Sequence, residues 1–249
     1  MCGRYTQTKN GQAIAQAFNL KTAPDPQPRY NIAPTQPVGA IAQPTNTERD
    51  EREYRIFQWG LVPSWSKDPS IGSRMINARA ETAAEKPSFR APFKRRRCLI
   101  LADGFYEWQR SGNRSGNSPG NSPGNSPGNS PGSSGGKQKQ PFYIQLQDQD
   151  IFGFAGLWEH WEGSDGSYLE TCTILTTEPN EQMQAIHNRM PVILHPDDYD
   201  LWLDPTLQES RHLQHLLRPY ESDAMQIYPV SQTVNNPRNE TPECIDPLD

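Results

Sequence analysis

Apolar residues recur along this chain in short blocks, and the spacing within the blocks changes from helical to alternating. Between Gly11 and Leu20, the residues Ala13, Ile14, Ala17, Phe18 and Leu20 line one face of a helix, which Pro24, Pro26 and Pro28 bring to an end. From there the blocks read as strands. Val38 to Ala42 and Tyr54 to Leu61 flank a polar hairpin tip from Thr45 to Arg52, and Cys98 to Ala102 precedes a turn and strand over Asp103 to Trp108. Pro141 to Leu146, Ile151 to Trp158 and Tyr168 to Thr177 have β-type composition, and Tyr228 to Val230 starts a last strand or arm. Helical spacing returns in Ile76 to Ala84, Glu181 to Ile186, Asp197 to Leu203 and Leu207 to Leu217. Many short antiparallel strands with a few helices predict an α+β single domain over residues 1–239, with a loose tail over 240–249.

One stretch breaks the pattern. From Ser111 to Gln140 the chain is almost wholly Ser, Gly, Asn, Pro, Lys and Gln, with Asn-Ser-Pro-Gly written four times between Asn117 and Gly132. Such a segment cannot bury enough apolar surface to offset its ordering entropy, so residues 111–140 are expected to be a disordered insertion in a hairpin. Loop closure costs grow only logarithmically with length, so the host hairpin tolerates it. The insertion also dilutes the composition: the 33% hydrophobic content is compatible with a real core elsewhere. No run approaches a membrane span or a signal peptide, and the reading is a soluble, cytoplasmic protein. Cys2, Cys98, Cys172 and Cys244 lie far apart with no paired Cys/His spacing, which argues against a disulfide framework or structural metal, and no cofactor is expected. At a net charge of −5, any nucleic-acid contact must be a local patch.

The candidate chemistry sits at the start, Met1-Cys2-Gly3-Arg4-Tyr5. Removal of Met1, which small second residues permit, leaves an α-amine and a thiol on one residue, with reference pKa values of about 7.7–8.0 and about 8.5. Such a 1,2-aminothiol condenses with an aldehyde: the amine forms an imine and the thiol closes a thiazolidine ring. The alternative is a frayed terminus with an incidental cysteine. An aldehyde condensation also needs groups that orient the amine and move protons. Asn77, Glu107 and His187 are the candidates. Each has a plain alternative, as helix cap, solvent-facing strand residue and structural histidine respectively. Arg4, Arg79, Arg189 and the run Lys94 to Arg97 offer a basic surface, while the run by itself reads equally as a solvated face. Trp59 and Trp65 read as core or as base-stacking platforms.

Taken in order, Met1-Cys2-Gly3-Arg4-Tyr5, Arg29 to Pro34, Trp59 to Trp65, Ile76 to Thr82, Ala102 to Trp108, His187 to Pro191 and Val234 to Arg238 resemble the SOS response-associated peptidase (SRAP) family. The resemblance implies a β-rich, barrel-like core with flanking short helices, and a Cys2 that crosslinks to ring-opened abasic sites in single-stranded DNA during the DNA damage response. It also implies that Asn77 holds the amine, Glu107 acts as the acid that opens the deoxyribose hemiacetal, and His187 handles protons at the imine and in adduct reversal. Arg4, Arg79 and Arg189 would face phosphates or the sugar, and Trp65 would stack or wedge beside bases. A peptidase activity, self-removal of Met1 or release of the adduct, is also implied. The expected partner is single-stranded DNA containing abasic sites, bound by a monomer associated with the nucleoid. Two other readings stay open: an N-terminal-nucleophile amidohydrolase of the class II glutamine amidotransferase kind, and a noncovalent single-strand binder. The insertion departs from the family's compact pattern, and Leu101 stands where proline is frequent.

Overall fold

A computed structural model describes residues 2–43, 51–109 and 139–248. The insertion expected over 111–140 lies outside these, apart from Lys139 and Gln140, as does the hairpin tip expected over 45–52, apart from Glu51 and Arg52. The strands are β1 (Tyr5–Gln7), β2 (Arg29–Ile32), β3 (Pro37–Ala42), β4 (Glu53–Trp59), β5 (Asn77–Arg79), β6 (Arg97–Ala102), β7 (Gly104–Trp108), β8 (Pro141–Leu146), β9 (Phe152–Glu162), β10 (Tyr168–Thr177), β11 (Met190–Pro191), β12 (Ile193–Leu194) and β13 (Met225–Pro229). Short helices are α1 (Gly11–Ala17), α2 (Ala80–Ala83), α3 (Arg90–Arg95), α4 (Glu181–Gln184) and α5 (Tyr199–Leu203).

Strands β10, β4, β3, β6 and β9 pair in that order, and β9 pairs back to β10, so these five close into a barrel. Closure leaves no open edge among them. The fold is thus α+β with a barrel core and short flanking helices, as expected, with one departure: the ring includes a parallel pairing of β10 with β4. Alternation along the strands sorts residues between two layers. Val38, Ala40, Ala42, Cys98, Ile100, Ala102, Cys172 and Ile174 fill the lumen. Ile41, Leu99, Leu101 and Leu175 point outward to pack with Phe93 and Trp202 of the helices. Being covered on both faces, β6 is buried along its whole length, which is why its sequence is nearly continuous in apolar residues.

A second sheet, ordered β13-β8-β7-β1-β2, adds Tyr5, Phe105, Ile144 and Met225 to the lumen core. Its other face packs Tyr106, Tyr143, Val230, Val234 and Cys244 into a small separate cluster. The residues on either side of the insertion meet directly: Trp108 lies opposite Pro141, and the Gln109 N–H donates to the Gln140 carbonyl at 2.9 Å.

Several expectations are corrected. Helical spacing over Ile76 to Ala84 resolves into strand β5 followed by α2, so Asn77 is a strand residue and not a helix cap; pairing with β10 overrides the local pattern. Residues Leu207 to Leu217 form two 3₁₀ turns, Ser210–His212 and Gln214–Leu216, and no α-helix. Buried Leu213 and Leu216 fit the three-residue period of that geometry. Within the basic run, Arg97 is buried and donates to the carbonyls of Phe93, Lys94, Trp202 and Asp204, and Arg96 pairs with Glu159. The tail is not loose: Cys244 is buried, Glu240 pairs with Arg29, and the Leu248 N–H donates to the Pro229 carbonyl.

One glycine sets the path into the site. Gly60 has φ 134°, donates to the Cys172 carbonyl at 2.8 Å, and would place a Cβ 2.6 Å from the Gly72 carbonyl oxygen. The preceding Trp59 donates its indole N–H to the Ile76 carbonyl at 2.8 Å. The two contacts dock the loop that delivers Asn77. Gly60→Ala combines a Gly-only backbone conformation with a backbone clash, and is expected to lower stability by about 2 kcal/mol or more in chemical denaturation; a loss near zero would contradict this account.

Candidate active site at the amino terminus

The chain enters the second sheet almost at once. Tyr5 pairs with Ile32 on one side and Phe105 on the other, and the Tyr106 N–H donates to the Arg4 carbonyl at 2.9 Å. Cys2 is thereby drawn into the lumen cluster with Trp59, Phe105 and Ile174, and its relative exposure is 0%. Strand pairing beginning at Tyr5 therefore encloses the thiol, and the terminus is not frayed from Cys2 onward. Burial, and next the negative charge of Glu107, push the Cys2 thiol far above its ordinary value, so it is held protonated at neutral pH.

Glu107 reaches the same interior because residues two apart on a strand share a face. Phe105 lies in the lumen cluster, and Glu107 follows it on that face with 3% exposure, its main chain paired opposite Phe142. Asn77 arrives from the other sheet, as the first residue of β5 opposite Ile174. Its Nδ2 donates to the Cys2 carbonyl at 2.7 Å, while its buried Oδ1 accepts no hydrogen bond from the described residues. Cysteine, amide and carboxylate are thus gathered from three distant segments.

His187 lies in the turn after α4, which Asn180 caps by accepting from the Met183 N–H. Its Nδ1 faces two main-chain groups of Arg189, the N–H at 3.1 Å and the carbonyl at 3.2 Å. The loop then enters β11, which pairs Pro191 with Thr176 on one edge of β10, while β5 pairs Arg79 with Thr176 on the other. Strand β5, which begins at Asn77, and β11, which follows the His187 turn, therefore flank the same end of β10.

The four residues expected to face DNA divide. Trp65 is 61% exposed and Arg79 is exposed. Arg4 is turned inward: its Nη1 donates to Asn31 Oδ1 and the Val234 carbonyl, each at 2.7 Å, and its guanidinium lies 5.8 Å from the Trp108 ring. Burial depresses its pKa below the ordinary arginine value. Arg189 is also engaged, with both oxygens of Glu81 and with the Thr176 carbonyl. The sequence reading missed Glu81 and Asn31. Asn31 is buried and donates to the carbonyls of Val234, Asn236 and Asn239, which ties the segment after β13 to the start of the chain. A polar residue just before the buried Ile32 and Ala33 was the available signal. Clefts of about 420 and 460 Å³ open beside Tyr54, and none of Cys2, Asn77, Glu107 and His187 lines them.

A closed β-barrel carrying a buried second-position cysteine, with an amide on its carbonyl and a carboxylate on the same interior face, defines an α+β barrel protein with a candidate site around its second residue. The family model described as SOS response associated peptidase (SRAP) matches residues 1–237, and the chain belongs to that family. Abasic site processing protein YoqW of Bacillus subtilis (strain 168) is 42% identical over 249 residues, covering 99% of each chain. Abasic site processing protein HMCES of Gallus gallus is 34% identical over 251 residues, covering 90% of this chain and 67% of that one. A crystal structure of a protein from Bacteroides thetaiotaomicron superposes with a TM-score of 0.80 at 24% identity, over 99% of this chain and 100% of that one, a likeness of fold.

Proposed function

We propose that this protein processes abasic sites in single-stranded DNA by becoming covalently attached to them through Cys2. Release of Met1 converts the Cys2 nitrogen to an α-amine. Asn77 Oδ1, a buried acceptor beside Cys2, is the group to hold that amine while Nδ2 fixes the carbonyl. The 2.7 Å hydrogen bond from Nδ2 to the Cys2 carbonyl, beside a buried Oδ1 that accepts nothing from the described residues, is the observation that carries the reading.

The abasic deoxyribose reacts as its open-chain aldehyde. Because the thiol is held protonated, nitrogen attacks C1′ first, forming a C–N bond and a carbinolamine. Glu107 serves as the acid–base group, first in opening the cyclic hemiacetal and then in protonating the departing hydroxyl, so that one water leaves and an imine forms. The thiol then adds to the imine carbon: a C–S bond forms, and the sulfur's proton is transferred by way of His187 to the imine nitrogen, closing the thiazolidine. The overall change is aldehyde plus aminothiol to thiazolidine plus water. Arg79 and Trp65, both exposed, supply phosphate pairing and a base-stacking surface at the rim. Cleavage after Met1, by this chain or by an aminopeptidase, precedes every step. Among the described residues no helix is long and apolar enough to cross a membrane.

The experiment is direct. Mature protein is mixed with a single-stranded oligonucleotide carrying one uracil, after uracil-glycosylase treatment, and denatured. The expected product is a species that withstands denaturation and whose mass equals protein plus abasic oligonucleotide minus one water. A complete absence of covalent product, with Met1 verified as removed, would overturn the proposal.

A further inference from the structure

We infer that Glu81 is a positioning residue for His187, acting through Arg189; the inference rests on the reading of His187 as the group that moves the proton at the imine. The starting observation is the environment of the His187 ring. Its Nδ1 lies 3.1 Å from the Arg189 N–H and 3.2 Å from the Arg189 carbonyl oxygen. In the neutral ring Nδ1 accepts from that N–H, which places the proton on Nε2. In the charged ring Nδ1–H donates to the carbonyl instead. The main-chain N–H and carbonyl of one residue thus serve the two protonation states, and the ring can gain and lose a proton without turning.

Such a device works only if the Arg189 main chain is immobile, and its side chain supplies the anchor. Nη1 donates to Glu81 Oε1 at 2.6 Å and Nη2 to Glu81 Oε2 at 2.9 Å, with Nη2 also donating to the Thr176 carbonyl. A two-point guanidinium–carboxylate pair fixes orientation as well as distance. The hydrogen bond from Arg189 holds the Glu81 carboxyl below its ordinary range, so the pair stays charged at neutral pH. Glu81 belongs to α2, which directly continues β5 and so the strand that begins with Asn77. The clamp therefore spans the end of β10 and ties the segment that grips Cys2 to the loop that carries His187. This explains why Arg189, expected to face DNA, is turned onto protein partners.

The test uses Glu81→Gln and Arg189→Lys in the full, Met1-free chain. Glu81 is half exposed, so the isosteric amide leaves folding intact; lysine keeps the charge of Arg189 but cannot form the two-point fork. Two readouts are taken: ¹⁵N signals of the His187 imidazole in protein without DNA, and the single-turnover crosslinking rate at saturating abasic oligonucleotide. Wild type is expected to show the Nε2–H form alone. Both variants are expected to show a mixture of the two neutral forms and a crosslinking rate lowered about fivefold, with affinity for undamaged single strands held within about twofold or raised. Unchanged imidazole signals in both variants would overturn the positioning role, whatever happens to crosslinking. Altered signals in the variants, alongside a wild-type protein that forms no adduct, would leave the clamp standing and overturn only the reading on which its purpose rests.

Discussion

Cys2→Ala abolishes the denaturation-resistant species formed with abasic single-stranded DNA, a fall of at least about 10³-fold in crosslinking. The substitution separates the two nucleophiles. Alanine keeps the α-amine, so the imine still forms, but without sulfur nothing closes the ring and the imine hydrolyses on denaturation. Borohydride reduction during the incubation therefore traps a covalent product with Cys2→Ala, whereas without reductant none is seen. Cys2 occupies the lumen core beside Trp59 and Phe105, and removing a single buried sulfur atom costs about 1 kcal/mol, which leaves the barrel folded. Survival of a stable adduct in Cys2→Ala without reductant would refute the aminothiol chemistry, and retention of Met1, which ties the Cys2 nitrogen into a peptide bond, should likewise abolish the adduct without reductant.

The second large effect falls on Asn77. Asn77→Ala removes the 2.7 Å hydrogen bond to the Cys2 carbonyl and the buried acceptor meant for the amine in one step. A nucleophile displaced by even an ångström forfeits about 10²-fold in rate, so crosslinking at saturating DNA is expected to fall by about that factor. Asn77→Asp distinguishes the two halves of the grip. It keeps an acceptor, loses the donor to the Cys2 carbonyl, and adds a negative charge in an interior that already holds Glu107. Its rate should lie between wild type and Asn77→Ala. Binding to undamaged strands should change little in either variant, because Asn77 faces Cys2 and not the rim. A folded Asn77→Ala protein crosslinking within about twofold of wild type would show that Cys2 needs no such holder.

How much of this was legible beforehand varies by residue. Glu107 was the clearest case, since a carboxylate between Tyr106 and Trp108 in an apolar strand is costly unless it has a purpose, and the structure buries it. Asn77 was named as a candidate but given the wrong local setting, because a helix-like pattern concealed three strand residues whose partners lie in β10. Arg4 and Arg189 were read by charge alone. Their inward hydrogen bonds involve Asn31, Val234, Glu81 and Thr176, partners that no local spacing picks out. Arg97 shows the same limit: four consecutive basic residues look like one solvated face, yet the last enters β6 and is buried.

By itself the sequence determined the repertoire of chemistry: a second-position cysteine, the period-two blocks that build an α+β barrel, and an ordered set of motifs particular to one family. Only the tertiary structure decided which groups meet. Residues 2, 77 and 107 come together through pairings of β1 with β7 and β5 with β10, and through burial in a shared lumen. Those interactions draw their free energy from contacts between segments far apart in the chain, so no window of sequence contains them. For the same reason the enclosure of the Cys2 thiol could not be read locally: its surroundings are built by strands the terminus does not itself encode.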